Sequence, residues 1–161
     1  MNPQHLDNAV KTALRSIGKS DPALIRLIKM TFLFESDLYD FFTDPENNSQ
    51  YHGFSQISQS DLRHFLYDYV ELRDIRNKME KFCVISFKQN SLEEIWHKLR
   101  YDISLQIMIT YGIYDSRFPE IPEDNLESLF ECYRKYWRDG QAYTEKEKTE
   151  LLYFYMNTFT S

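Results

Sequence analysis

The chain has 161 residues, enough for one domain that buries roughly two-thirds of its unfolded surface. Its formal net charge of −6 argues against a general nucleic-acid-binding protein, which needs a basic surface to displace counterions from phosphates. Aromatic residues make up 16% of the chain, a high share that fits either a core built with aromatic residues or a broad contact surface.

The cysteines and the termini indicate a compartment. Cys83 and Cys132 form neither a disulfide framework nor a zinc-binding spacing, and they predict thiols in a reducing environment. The first residues lack the basic and apolar regions of a signal peptide. The longest uncharged apolar run, 103–114, is too short to cross a bilayer. We therefore predict a soluble, cytoplasmic protein without membrane association.

The N-terminal third predicts two helices and a loop. An apolar stripe predicts a helix over 3–17, which ends at Gly18. The next helix opens just before Pro22 and continues to about Phe42, with an apolar face wide enough to be central. Residues 43–58 are predicted to be a polar loop.

The middle of the chain predicts two longer helices, over 60–82 and 91–111. Ser91 and Glu94 form a capping box, in which each satisfies an amide of the first helical turn, and this marks the start of the second of them. Residues 83–87 between the two helices could be a frayed helix end or a short β piece.

The last third predicts a twelve-residue linker and two further helices. The helices cover about 123–138 and 144–159, and the second opens with a capping box of Thr144 and Glu147. All the glycines are predicted to lie between helices, at Gly18, Gly53, Gly112 and Gly140. These patterns predict an all-α, irregular bundle of about six helices that forms a single domain over 1–161.

Two carboxylate-x-x-His pairs, Asp61–His64 and Glu94–His97, resemble half of the ligand set of a di-iron bundle. Two lone carboxylates would complete such a set: Glu35 or Asp37 from the second predicted helix, and Glu127 or Glu131 from the fifth. However, Asp61 and Glu94 lie in first helical turns, where acids cap the helix and interact with its dipole. We therefore predict no metal and no cofactor.

The segment from Arg76 to Lys81 resembles the Arg-Asn-x-x-x-His signature of HEPN-type ribonucleases, which are small helical bundles. Lys81 occupies the position of the catalytic histidine of that family, and an amine is poorly suited to acid–base work near neutral pH. The alternative is a solvated helix face, in which Asp74 pairs with Lys78 and Arg76 with Glu80. We predict no catalytic residue.

An acidic cluster is a candidate partner-binding feature. Asp40, Asp44 and Glu46 crowd the predicted end of the second helix, where the helix dipole already places negative charge. They are either neutralised by basic residues of the same chain or serve a partner.

The run 151–156 of the last helix is apolar around nearly its full circumference. This predicts either insertion between other helices or a homodimer interface, with Tyr153, Phe154 and Tyr155 as contact residues.

Scattered residues between 87 and 151 are similar to the YfbU-like family of small helical bacterial proteins. They are Phe87, Leu99, Arg100, Tyr101, Tyr111, Gly112, Tyr114, Phe118, Tyr133, Trp137, Tyr143 and Thr144. The resemblance implies a bacterial, all-helical, self-associating protein and no particular activity.

The hypothesis that follows is a non-enzymatic protein–protein interaction or regulatory protein, of an antitoxin-like or immunity-like kind. The alternative is a divergent helical enzyme, related to HEPN ribonucleases or dependent on a metal.

Overall fold

The computed structural model describes residues 1–36, 51–72 and 74–159. These residues contain eight α-helices and one two-stranded sheet. In chain order the elements are α1 (Pro3–Ser16), α2 (Pro22–Ser36), β1 (Tyr51–His52), β2 (Ile57–Ser58), α3 (Gln59–His64), α4 (Arg76–Cys83), α5 (Leu92–Leu99), α6 (Ile103–Arg117), α7 (Leu126–Tyr136) and α8 (Glu145–Phe159). The all-α class is confirmed, and the predicted count of about six helices is too low.

The helices begin where short polar side chains accept hydrogen bonds from the first turn. Both predicted capping boxes are present: Ser91 with Glu94 before α5, and Thr144 with Glu147 before α8. A further box joins Ser58 and Asp61 before α3. These local signals place the helix starts correctly because they depend on residues three positions apart.

The core is one hydrophobic cluster that surrounds α6. Ten of the 15 residues of α6 are buried, and the helix contacts α1, α2, α3, α4 and α5. The largest fully buried side chains are aromatic, and include Tyr111, Tyr114, Tyr133, Phe32, Phe65 and Phe130. The high aromatic content of the chain therefore serves mainly to build the core.

The helix predicted over 60–82 is two helices. After α3 the chain continues as a π-helical turn, Phe65–Tyr69, and a 3₁₀ turn, Val70–Leu72, before α4 begins at Arg76. The π turn presses the rings of Phe65 and Tyr69 onto α6 at Gly112. A π turn inserts one residue into the helix and shifts the side chains that follow it, which hydrophobic spacing alone does not reveal.

Gly112 lies inside α6, and its prediction as a glycine between helices is wrong. A Cβ at this position would lie 2.5 Å from Cε2 of Phe65 and 2.9 Å from Cε1 of Tyr69. The glycine is therefore required by the close approach of two rings rather than by a turn, and α6 continues past it to Arg117.

The helix predicted over 91–111 is also two helices. Asp102 interrupts it and caps α6 by accepting a hydrogen bond from the amide of Leu105 at 3.0 Å. Gln106 of α6 then links the end of α5 to the hairpin segment. Its Nε2 donates to the carbonyl of Leu99 at 2.8 Å, and its Oε1 accepts from the amide of Phe54 at 3.0 Å. The break is stabilised by a contact with a segment 52 residues away.

The structure corrects the end of one predicted loop and decides between the two alternatives for residues 83–87. The end of the loop predicted over 43–58 forms an antiparallel hairpin, in which Tyr51 pairs with Ser58 and His52 with Ile57. Val84 ends α4 in the left-handed conformation, with φ of 51°, so residues 83–87 are a helix end and the turns after it rather than a strand. Among the described residues, no helix is long and apolar enough to cross a membrane.

Candidate functional site

A polar cleft of about 660 Å³ opens between the end of α2, the hairpin, the start of α3, the end of α6 and the turn after α7. We call it the α2–α7 cleft. Its lining residues are mostly polar or charged: Phe34, Glu35, Gln56, Ser58, Ser60, Asp61, Arg117, Trp137, Arg138, Asp139 and Gln141. Its volume is that of a typical small-molecule site.

Glu35 is the most deeply buried charged group of the cleft, with a side chain that is only 7% exposed. Its carboxylate accepts hydrogen bonds from the hydroxyl of Tyr133 at 2.6 Å and from Nη1 of Arg138 at 3.3 Å. Burial raises the pKa of Glu35, although the hydrogen bond from Tyr133 and the charge of Arg138 oppose the rise. The same burial and the neighbouring carboxylate raise the pKa of Tyr133.

Asp61 and Arg117 form the second ion pair of the cleft, with Nη2 donating to Oδ1 at 2.7 Å. The other carboxylate oxygen accepts from the hydroxyl of Ser58 at 2.6 Å, as part of the capping box. Arg117 also donates through Nη1 to the carbonyl of Tyr136 at 2.9 Å. This pair joins the start of α3 to the ends of α6 and α7, and so fixes one wall of the cleft.

Ser116, His64 and Asp68 have the hydrogen-bond order of a Ser-His-Asp triad. Nε2 of His64 lies 3.1 Å from Oγ of Ser116, and its Nδ1 lies 3.0 Å from Oδ2 of Asp68. Three features disfavour catalysis. Asp68 is 66% exposed, Ser116 donates to the carbonyl of Ile113 at 2.8 Å, and the amides around Ser116 belong to a helix and cannot form an oxyanion hole. The arrangement instead joins α3 and the π turn to α6.

The predicted metal-ligand pairs are occupied by other interactions. Asp61 binds Ser58 and Arg117, and Glu94 caps α5 through Ser91. The carboxylates of Glu127 and Glu131 pair with Lys148 and Arg134. Within the described residues, no group of three or more His, Cys, Asp or Glu side chains is placed to hold a metal ion. Asp37 lies outside the described residues.

The segment that resembles the ribonuclease signature forms the start of α4. Nε of Arg76 is buried and has no hydrogen-bond partner among the residues that the structure describes. Glu80, predicted to pair with Arg76, accepts a hydrogen bond from the amide of Phe87 at 2.6 Å and so stabilises the turn after the helix. Lys81, at the position of the family's histidine, is exposed.

The predicted partner-binding residues fall into three groups. Asp40, Asp44 and Glu46 lie outside the described residues, so their role stays a prediction. Tyr153 and Phe154 are exposed on α8, by 63% and 38%. Tyr155 is 3% exposed and faces the core, so the surface that a partner could contact on the folded chain includes the first two residues of this run and not the third.

Hydrophobic spacing did not identify the α2–α7 cleft. Its two ion pairs join residues 56 and 103 positions apart in the chain, and neither Arg117 nor Arg138 belongs to a recognisable motif. The one available signal was local: Asp61 opens α3 in a capping box, which fixes the position of one carboxylate.

Comparisons of the chain with protein-family models, with curated proteins and with solved structures gave no match.

Proposed function

We propose that the protein is a non-enzymatic interaction protein that acts through the outward side of α8, and that it binds a second copy of itself there. The observation that carries the proposal is the exposure of large apolar side chains on this helix. Tyr153 is 63% exposed, and Phe154 and Met156 are each 38% exposed. A contiguous patch of this kind on a surface helix is typical of an interface.

The geometry of α8 separates its inward and outward sides. Tyr155 and Phe159 point inward, with ring centroids 5.1 Å apart, and Lys29 of α2 lies 4.5 Å from the centroid of Phe159. With 3.6 residues per turn, Tyr153 then lies opposite Tyr155, with Phe154 and Met156 on the two flanks. The inward stripe anchors the helix and leaves the outward side open.

A shallow hollow of about 370 Å³ adjoins this side of the helix. It is lined by Tyr143, Glu147, Glu150, Leu151 and Phe154. An aromatic side chain in such a hollow would be buried beside two carboxylates at its rim. This combination of an apolar centre and a polar rim is the usual anatomy of a protein interface.

A second copy is the favoured partner because the apolar side chains of the outward patch carry no charge. The chain has no charged residue from Leu151 to Ser161, so these side chains of two copies can meet directly, with Glu147 and Glu150 at the solvated rim. A two-fold axis would place each patch against itself, and this is the commonest oligomeric symmetry.

A cytoplasmic location belongs to the same proposal. Cys83 and Cys132 are buried, free thiols, and burial raises the pKa of each to about 12. Such thiols are protonated and unreactive near neutral pH, which suits a reducing compartment.

Sedimentation velocity over a range of protein concentrations tests the proposal. We expect the wild type to dimerise at micromolar concentration and Phe154→Glu to remain a folded monomer, because an interfacial carboxylate would be desolvated without a partner. Tyr153→Glu should have the same effect.

Tyr67→Glu is the matched control, since Tyr67 is 62% exposed on the π turn, and it should dimerise like the wild type. A wild type that stays monomeric at high micromolar concentration, or equal dimerisation of all four proteins, would reject the second copy as the partner of α8.

A further inference from the structure

We propose that the α2–α7 cleft binds an uncharged, polyhydroxylated small molecule of the saccharide class. The inference concerns a surface separate from the outward side of α8 and does not depend on self-association. It follows from the charge balance of the cleft, from its surplus of hydrogen-bonding groups and from its aromatic walls.

The charges of the cleft are almost completely compensated within the chain. Asp61 pairs with Arg117 at 2.7 Å, and Glu35 pairs with Arg138 at 3.3 Å. Among the described residues of the lining, Asp139 is the remaining charged one, and it is exposed on the turn after α7. An ionic ligand would therefore have to displace a carboxylate or a guanidinium from an existing pair, which costs the energy of that pair.

Within the part of the chain that the structure describes, the paired groups keep unused hydrogen-bonding capacity. A guanidinium has five N–H donors, and Arg117 uses Nη1 and Nη2 for Tyr136 and Asp61. A carboxylate has about four lone-pair positions, of which Glu35 uses two for Tyr133 and Arg138. The hydroxyl of Ser60 and the side-chain amide nitrogen of Gln141, whose oxygen accepts from Nε of Arg138 at 3.1 Å, add further groups at the rim. A sugar hydroxyl both donates and accepts, so it can bind to such a mixed set without breaking the ion pairs.

Two aromatic residues supply the apolar part of the site. Trp137 is half-buried in the lining, with its ring centroid 5.3 Å from that of Tyr114. Phe34 lines the cleft beside Glu35 and is held by an edge contact with Tyr133 at 5.3 Å. Both rings are fixed by packing. A sugar ring has apolar C–H faces and hydroxyl edges, and it matches a cleft that combines aromatic surfaces with polar groups.

The test uses the indole N–H of Trp137 as the reporter. The chain has two tryptophans, and the Trp96→Phe variant assigns the Trp137 cross-peak in a ¹H–¹⁵N spectrum of the full chain. The probes are three neutral disaccharides (maltose, cellobiose and N,N′-diacetylchitobiose) and two charged counterparts, cationic chitobiose and anionic cellobionate. We expect a saturable shift with at least one neutral sugar, and weaker binding of the charged ones.

Ser60→Tyr blocks the cleft from an exposed position and should weaken binding about tenfold or more, whereas Ser20→Tyr, on an exposed loop outside the cleft, should leave it unchanged. The proposal is overturned if no neutral sugar gives a saturable shift, if a charged counterpart binds more tightly than its neutral parent, or if Ser60→Tyr binds like the wild type.

Discussion

α6 and α8 have the same length, 15 residues, and both contain strongly apolar sequence, yet they have opposite environments. Ten residues of α6 are buried, including Gln106 and Thr110, whereas Tyr155 is the one residue of α8 that is buried. Apolar content therefore does not determine burial in this chain. The difference lies in what surrounds each helix.

Position in the fold explains the contrast. α6 contacts five other α-helices and the π turn, and Gly112 lets two rings approach its backbone. α8 packs against α1 and α2 through its inward side, and Lys148 in its first half pairs with Glu127 of α7. Five of its first six residues are charged, so this half of the helix favours water. Because the helix is continuous, its apolar half is also held at the surface of the bundle. The apolar surface thus remains exposed unless another chain covers it.

Paired methionine substitutions should give the largest difference between the two helices. Met108 in α6 is fully buried, and Met156 in α8 is 38% exposed. Met108→Ala should lower the free energy of unfolding by about 3 kcal/mol, because it removes buried surface and leaves a cavity. Met156→Ala should change it by less than about 0.5 kcal/mol in the monomer. Urea denaturation of both variants measures this, and equal losses would contradict the contrast.

The second prediction concerns the glycine that lets α6 pack so closely. In an open helix Gly→Ala stabilises by about 1 kcal/mol. At Gly112 the new methyl group would lie 2.5 Å from the ring of Phe65, which is fully buried and cannot move without disturbing its neighbours. We expect Gly112→Ala to destabilise by about 1–3 kcal/mol, so that overpacking outweighs helix propensity.

Thermal unfolding with the double variant Phe65→Leu/Gly112→Ala tests the mechanism. Because the smaller side chain leaves room for the methyl group, the double variant should lose less stability than the sum of the two single variants. Strict additivity would show that the contact with Phe65 is not the cause.

Features of this fold that depend on neighbouring residues are predictable from the sequence, whereas features that depend on distant residues are not. The capping boxes at Ser91 and Thr144 were found because their partners lie three residues away. The helix breaks were missed because each is stabilised from afar, one by Gln106 bound to Phe54 and the other by the packing of Phe65 on Gly112. The α2–α7 cleft was missed for the same reason, since its ion pairs join residues from distant segments.

The sequence also predicted the exposure of α8 only in part. A helix that is apolar on all sides is consistent with insertion into the core or with an interface, and hydrophobic spacing cannot distinguish the two. The structure separates them residue by residue: Tyr155 faces the core, and Tyr153 faces outward. The deciding contact is the packing of α8 against α1 and α2, which no pattern within α8 encodes.

A third prediction concerns the ion pair beneath α8. Nζ of Lys29 lies 2.7 Å from Oδ1 of Asp7 in α1. It also lies 4.5 Å from the centroid of the Phe159 ring. Burial acts to raise the pKa of Asp7, but hydrogen bonds from Lys11 and Lys29 outweigh it, and the net effect lowers this pKa below its ordinary value of 3.8. The carboxylate therefore stabilises the fold above pH 3.8, and this contribution is lost as the pH falls through the lowered pKa.

Asp7→Asn should cost about 1–2 kcal/mol near neutral pH, because Lys29 is left without its charged partner. The difference from the wild type should shrink as the pH falls below about 4. Urea denaturation at several pH values measures both effects, with Glu120→Gln as an exposed control that should match the wild type. A difference that stays constant down to pH 2 would assign the effect of Asp7 to packing instead of charge.

The smallest expected effect lies on the outward side of α8, and it depends on protein concentration. Tyr153 is 63% exposed, so in a monomer Tyr153→Ser should change the free energy of unfolding by no more than about 0.5 kcal/mol. In a dimer, folding is linked to association, and the melting temperature of the wild type should rise with concentration. The melting temperature of Tyr153→Ser should then equal that of the wild type in dilute solution and lie below it in concentrated solution.

Tyr67→Ser, equally exposed on the π turn, is the control. Its melting temperature should follow that of the wild type at every concentration, because the substitution leaves the interface intact. Parallel curves for wild type and Tyr153→Ser across a hundredfold range of concentration would show that the exposed ring of α8 is not covered by a second copy.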